Sequence, residues 1–339
     1  MKIYISGFGS VSRAMIELII KKQTDYIRRY QLELKVVGLI GRHGLLEDQN
    51  GLNLETLLRY DSGSAGIHAY AMNEGLSIQT DYIFHGDVLV EAAPTHQEHG
   101  EPGYGYMKQA LTQGLDVVAL SKGALVHHYN ELMSMANEYG QIIQYSGAVA
   151  AALPTLDVGR YCLAGTTISG FEAILNGTSN YILSEMMDTG KSFADILLQA
   201  QEKGIAETNP SLDVEGIDSA NKLALLANSL LETSSSFQDV SLKGIEDLTS
   251  VDLTEALRKG QKVRLVARAK VENDQVTLSV KPEYLSTTHP LSTVHGTNKG
   301  ILFSTEEIGE LFVSGGASSP VGAASAAIKD IINLTKLKD

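Results

Sequence analysis

The sequence predicts a mixed fold: an α/β region built on a parallel sheet, followed by an α+β region with antiparallel pairing. Three observations lead there. Short β-rich runs alternate with helical patterns through the first third of the chain, the pattern changes after Pro154, and two long alternating runs flank Asn273-Asp274. A length of 339 residues suits two domains better than one.

Lys2–Ile5 is short and β-rich and runs into a turn over Gly7–Ser12. Val11, Ala14, Met15, Leu18 and Ile19 then recur at helical spacing. Leu34–Ile40, Asp87–Ala92, Asp116–Leu120 and Ile142–Tyr145 read as further buried strands, with helical segments between them at Tyr106–Thr112 and Tyr129–Glu138. Such βα alternation implies a parallel sheet covered by helices on both faces. Beyond Pro154, Thr166–Leu175 is strand-like and Asn180–Met187 helical, and Ser192-Phe-Ala-Asp195 is a capping-box start for a helix to about Lys203. Ile217–Leu231 is a long apolar-periodic helix. Val263, Leu265, Ala267 and Ala269 alternate with Lys262, Arg264, Val266, Arg268 and Lys270, and Val276, Leu278 and Val280 alternate again. This predicts a hairpin turning at Asn273-Asp274, with one face buried and the other largely solvated. Ser314–Pro320 is a Gly/Ser loop opening a last helix, Val321–Leu334.

With 43% hydrophobic and 20% charged residues, the chain has the composition of an ordinary globular protein. A formal net charge of −13 argues against broad binding to nucleic acid or an anionic membrane. No apolar run is long enough to span a bilayer, and Met1–Ile5 leads into a glycine turn rather than a signal peptide. The single cysteine, Cys162, cannot form an intrachain disulfide, which fits a reducing cytoplasm, and it reads as a small buried hydrophobe. The nine histidines, among them His96, His99, His127 and His128, form no grouping with zinc spacing, so no metal is expected.

Gly7-Phe8-Gly9-Ser10-Val11-Ser12 follows a strand and precedes an amphipathic helix, the context in which G-x-G-x-x-G holds a pyrophosphate. Gly7 permits the tight turn, Gly9 lets the backbone approach the phosphates, and the helix N-terminus offers free N–H groups and partial positive charge. Ser12 replaces the third glycine and is small enough for the place where helix meets strand. An NAD site usually carries Asp or Glu at the end of the second strand; here the strand ends Leu39-Ile40-Gly41-Arg42-His43. The Arg42 guanidinium suits a 2′-phosphate, so NADP is expected, with NAD as the alternative.

Motifs from Gly7 to the C-terminus resemble the homoserine dehydrogenase family. Val90-Glu-Ala-Ala93-Pro94-Thr95 resembles its segment at the nicotinamide strand, and Ala110 to Gly123, through Ser121-Lys122, resembles its "AL..G..VVTANKG". Ile174-Leu-Asn-Gly177-Thr178-Ser-Asn-Tyr181 is similar to "GILNGTTNYIL". Gly204-Ile-Ala-Glu207 through Asp213, Gly216 and Asp218 to Lys222 resembles "GYAEADP..D..G.DAA.KLA". The resemblance implies a Rossmann-type dinucleotide-binding domain over 1–150, a substrate and dimerisation domain over 151–319, and a C-terminal helix, 320–339, returning to the first. It further implies reversible reduction of aspartate 4-semialdehyde to homoserine in threonine and methionine biosynthesis, and a homodimer. Feedback control through a regulatory extension or a fused kinase is not expected.

Aldehyde reduction develops negative charge on the carbonyl oxygen, which needs a nearby cation or acid to stabilise it and donate a proton. Asp218 and Lys222, four apart on one helix, share a face; spacing alone more often describes an exposed ion pair. The resemblance makes Lys222 the proton donor, oriented by Asp218, and places Lys122 in the same active site. It implies cofactor contacts from Gly7, Phe8, Gly9, Ser10, Val11, Arg42, Ala93, Pro94, Thr95, Ser121 and Lys122. Substrate contacts fall to Glu207, Asp213, Gly177 and Thr178, with the two acids on the substrate ammonium; Asp213 could instead cap the Ile217 helix. Ser121 and Ile205 stand where the family usually has Asn and Tyr, and Ser146 stands where it has a glutamate that helps hold a monovalent cation. These departures leave two other readings open: a paralogue acting on another small aldehyde or hydroxy acid, and a non-catalytic dinucleotide sensor.

Overall fold

The computed structural model describes all residues except Gln97, Asp274 and Asp339. The chain divides into two compact units, one formed by Met1–Ala151 with the segment from Ser319 onward, the other by Ala152–Ser318. In order, the first unit contains β1 (Lys2–Ser6), α1 (Ser10–Tyr30), β2 (Lys35–Gly41), β3 (Gly44–Glu47), α2 (Leu54–Leu57), α3 (Ser64–Glu74) and β4 (Ile78–Gln79). It continues with β5 (Val88–Glu91), α4 (Gly103–Thr112), β6 (Asp116–Ala119), α5 (Gly123–Glu138), β7 (Ile143–Gln144) and α6 (Ser146–Val149). The second unit contains α7 (Thr155–Asp157), β8 (Ile168–Ile174), α8 (Gly177–Thr189), α9 (Phe193–Glu202), α10 (Ser211–Val214) and α11 (Ile217–Leu230). After these come β9 (Val240–Leu242), α12 (Ser250–Arg258), β10 (Gln261–Glu272), β11 (Gln275–Ser286), β12 (Lys299–Thr305) and β13 (Gly309–Gly315). The last helix, α13 (Pro320–Lys338), belongs to the first unit.

The first sheet has the order β4-β3-β2-β1-β5-β6-β7. β2, β1, β5, β6 and β7 pair in parallel, and aliphatic side chains of β1, β2, β5 and β6 are buried with those of α1, α3 and α13 in one core. The strand order reverses between β1 and β5, so the crevice at their C-terminal ends is where such sheets take ligands. The alternation predicts a parallel sheet, and the sheet departs from that at one edge: β3 and β4 extend it antiparallel beyond β2. Gly41 pairs with Gly44, so the chain reverses across Arg42-His43 instead of crossing over through a helix.

The second sheet has the order β13-β12-β8-β10-β11-β9 and is mostly antiparallel. β10 and β11 form the expected hairpin, with Ala267 opposite Val280; Asp274, half of the expected turn, lies outside the described residues, and Asn273 takes φ of 49°. The face expected to be solvated is in part covered. Arg264 is 1% exposed and Val266 is fully buried, because the turn Pro290–Thr293 packs there and builds a cluster of Ile174, Val266, Leu285, Leu291 and Val294. Arg264 donates to the Val263 and Ser292 carbonyls at 3.0 and 3.4 Å, and burial pushes its guanidinium down to about 10. Cys162 is exposed, not buried, at the end of a π-helical turn, Val158–Cys162. Among the described residues no helix is long and apolar enough to cross a membrane.

Candidate active site

In the first unit the turn after β1 has the shape a pyrophosphate needs. Gly7 sits at φ +84°, and a Cβ there would stand 2.8 Å from the Ala92 carbonyl oxygen. Its N–H donates to the Ile40 carbonyl at 2.8 Å. Gly9 caps α1, and a Cβ there would meet nothing within 4 Å, so the backbone is open to an approaching group. Ser10 is exposed and Val11 half-buried at the start of the helix, while Phe8 is buried. Ser12 is 1% exposed, packed as its place at the helix–strand contact requires. These residues fit a dinucleotide.

Arg42 is exposed at the tip of the β2–β3 hairpin, and its backbone N–H donates to Ser64 Oγ at 2.8 Å at the start of α3. Gly63, just before α3, donates to the Phe8 carbonyl at 2.7 Å. The hairpin tip, the α3 start and the glycine turn are therefore tied together. Arg13, the other arginine near the turn, is committed to the carbonyls of Leu58 and Tyr60 at 2.7 and 2.6 Å.

At the ends of β5 and β6, Ala93 is buried, Pro94 exposed and Thr95 half-buried. A Cβ on Gly123 would lie 2.7 Å from Thr95 Cβ, so the β5 loop seats closely on the start of α5. Lys122 is the N-cap residue of α5, at the end of the loop that follows β6. Sequence reasoning passed over Glu91, whose signal was a carboxylate inside an aliphatic strand. It is fully buried at the end of β5 and accepts hydrogen bonds from Ser121 Oγ and, at 3.0 Å, from the Ala93 N–H. Burial pushes its carboxyl up to about 7, although these bonds favour the charged form.

In the second unit, α11 begins at Gly216, φ +82°, which places Asp218 and Lys222 one turn apart. Lys222 Nζ lies 2.6 Å from Asp218 Oδ2 and also donates to the Leu175 carbonyl at 3.1 Å. The side chains are 14% and 9% exposed, so this is a buried pair and not the surface pair that spacing alone favours. Asn176 Nδ2 bridges Asp218 at 2.8 Å and Asp213 at 2.6 Å, while Asn176 Oδ1 caps α8 by accepting from the Ser179 N–H. Burial, and then repulsion from Asp218, raise the Asp213 carboxyl above its usual range. Asp213 does not cap the Ile217 helix: it lies within α10, and Gly216 takes the cap position. Gly177 opens α8 against the Thr297 carbonyl, with room for no Cβ, and Thr178 Oγ1 donates to the Ile205 carbonyl at 3.1 Å. Asp213, Asp218 and Lys222 are thus brought together with Asn176. Glu207 is exposed, and among the described residues its side chain makes no hydrogen bond or ion pair.

Ser146 is buried at the start of α6 in the first unit. Its Oγ donates to Asp330 Oδ1 at 2.9 Å and accepts from Lys329 Nζ at 2.7 Å. Lys329 Nζ also lies 2.7 Å from Asp330 Oδ1, so a lysine ammonium already sits against the serine and the acid. Among the described residues, no group of three or more His, Cys, Asp or Glu could hold a metal ion.

Comparison with known proteins finds one family across both units. The family model "Homoserine dehydrogenase, NAD binding domain" matches residues 7–146, and the model "Homoserine dehydrogenase" matches residues 154–332. The chain is 33% identical to an NAD(+)-dependent homoserine dehydrogenase of Pseudomonas canavaninivorans, over 98% of this chain and 96% of that one. It is also 33% identical to a homoserine dehydrogenase of Methanocaldococcus jannaschii, over 98% of both. The crystal structure of a putative homoserine dehydrogenase from Archaeoglobus fulgidus superposes with a TM-score of 0.84 at 31% identity, covering 98% of this chain and 99% of that one.

Proposed function

This chain belongs to the homoserine dehydrogenase family, and on that premise we propose that it reduces aspartate 4-semialdehyde to homoserine, reversibly, with NADPH preferred over NADH. Family membership makes it an NAD(P)-dependent oxidoreductase of amino-acid biosynthesis acting on a small molecule. The observation that carries the finer reading is the buried Lys222–Asp218 pair, which Asn176 and the Leu175 carbonyl hold in place.

Reduction adds a hydride to the carbonyl carbon and a proton to its oxygen; the nicotinamide, when bound, supplies the hydride. Lys222 donates the proton in reduction and takes it back in oxidation. Asp218 positions the ammonium, and Asn176 fixes Asp218. Asp213 and Glu207 take the substrate ammonium, and the backbone at Gly177-Thr178 borders the same space. Gly7, Phe8, Gly9, Ser10 and Val11 would hold the pyrophosphate, and Ala93, Pro94, Thr95, Ser121 and Lys122 would border the nicotinamide. NADPH preference rests on Arg42, whose backbone is held beside the glycine turn, where the end of β2 and the turn to Gly44 carry no carboxylate. NAD is the second reading, favoured by the name of the Pseudomonas relative. A homodimer belongs to the same proposal, and sedimentation checks it. A turnover assay with aspartate 4-semialdehyde and each reduced cofactor tests the whole. Turnover of other aldehydes alone would favour a paralogue, and cofactor binding without turnover a sensor.

A further inference from the structure

Glu91 is the last residue of β5, at the mouth of the crevice. Its register partners are Ser6, the last residue of β1, and Ala119, the last of β6, so three parallel strands stop on one level. Beyond that level the ladder gives way to two loops, 92–95 and 120–122. The Glu91 carbonyl still accepts from the Leu120 N–H at 2.7 Å. From there the side chain takes over. Oε1 accepts from the Ala93 N–H at 3.0 Å, and Oε2 accepts from Ser121 Oγ. Ser6 Oγ stands 3.5 Å from Oε1, and it accepts from the Ala92 N–H at 3.1 Å. One carboxylate thus holds both loops, with an oxygen for each.

The surroundings leave room for that fork and for little else. A Cβ on Gly103, the first residue of α4, would stand 3.0 Å from Glu91 Oε1 and 2.9 Å from Thr95 Cγ2. Were packing alone to decide the position, another aliphatic residue would serve after Val88-Leu89-Val90. A carboxylate is costly in a fully buried place unless its hydrogen bonds are made. Here the acceptors it offers go to the two segments that flank the crevice. Removing the carboxylate would leave the Ala93 N–H and the Ser121 hydroxyl without it and would release each loop from the other.

We propose that Glu91 is a positioning residue of the cofactor site: its carboxylate clamps the β5 loop to the β6 loop and so fixes the ledge on which the nicotinamide ring rests. The inference rests on the reading given above, in which Ala93, Pro94, Thr95 and Ser121 border the nicotinamide. The test measures binding by calorimetry for two pairs, NADPH with 2′-phospho-ADP-ribose and NADH with ADP-ribose, each fragment being its cofactor without the nicotinamide. In Glu91→Ala the complete cofactors are expected to bind about tenfold more weakly, while the fragments stay within about twofold of wild type. A merely structural role would weaken both alike. Glu91→Gln keeps both arms, its oxygen toward Ala93 and its amide toward Ser121, and is expected to remain within about threefold for all four ligands. Glu91→Val, whose branched side chain suits a strand, takes the place of Glu91→Ala if that variant does not fold. Equal losses on cofactor and fragment, or none on either, overturn the proposal. A nuclear Overhauser contact in the wild type between the nicotinamide ring protons and the Thr95 methyl group separates the two failures. With that contact present only the clamp falls, and its absence overturns the reading of these loops together with the clamp.

Discussion

Replacing Glu91 with Gln is expected to alter how the stability of the first unit depends on pH. The carboxyl is fully buried, and burial raises it from 4.5 to about 7. Each pH unit between those values is worth about 1.4 kcal/mol, so ionising Glu91 in the folded chain costs roughly 3 kcal/mol. The sign follows from proton counting. Between about 4.5 and 7 the folded chain holds a proton that the unfolded chain has released, so wild-type stability falls as pH rises through that window and levels off above it. Gln cannot ionise, and it can still accept from the Ala93 N–H while its amide faces the Ser121 hydroxyl. Urea unfolding of both proteins at pH 5 and pH 8, followed by tyrosine fluorescence, isolates this effect because the other titrating groups are common to both. Glu91→Gln should gain ~2–3 kcal/mol on the wild type between those two pH values. An offset that is the same at both, or that moves the other way, would refute the argument and mean that Glu91 is already ionised in the folded chain at low pH.

Arg42→Ala should raise the KM for NADPH more than tenfold, since a charge-assisted contact is worth about 1.5–3 kcal/mol, and should leave NADH nearly unaffected; an unchanged ratio of the two counts against the 2′-phosphate contact. Lys222→Ala should lower kcat by a factor on the order of 10²–10⁴ with NADPH binding intact by fluorescence titration, and near-normal kcat would remove its assigned role. Sodium and potassium, titrated at constant ionic strength, should leave kcat flat, because the Lys329 ammonium is already seated against Ser146 and Asp330; activation by one ion alone would contradict this. Glu207→Gln should weaken homoserine binding, and equal turnover of des-amino hydroxy acids would show that the acids do not read the ammonium.

The parallel strands were legible because their side chains are buried on both faces and read as aliphatic runs, as 88–90 and 117–119 show. β3 and β4 were not: Gly44–Glu47 has four residues and Ile78–Gln79 two, too short for a period to appear. The Asp218–Lys222 spacing was visible, but its burial was not. The groups that enclose the pair, Asn176 and the Leu175 carbonyl, come 42 and 47 residues earlier in the chain. The burial of Arg264 escaped notice for a like reason, since its cover comes from Pro290–Thr293. Ser146 meets Asp330 across 184 residues, a pairing that no local pattern shows.

The acids around the site differ in what a substrate can do for them. Asp213 is partly buried and already raised, first by lost solvation and then by Asp218, so its charged form is held at a cost. A substrate ammonium placed there offsets that cost directly, which makes binding at Asp213 sensitive to charge and not to shape alone. Glu207 is exposed to solvent, so the same ammonium would gain less from it. Asn176 couples the two halves of this arrangement through one amide nitrogen, which donates to Asp213 and to Asp218 together. On the proposed reading, any movement of Asp213 toward a bound ammonium therefore acts on the group that would orient Lys222, and recognition of the amino end is tied through a single side chain to the position of the proposed proton donor.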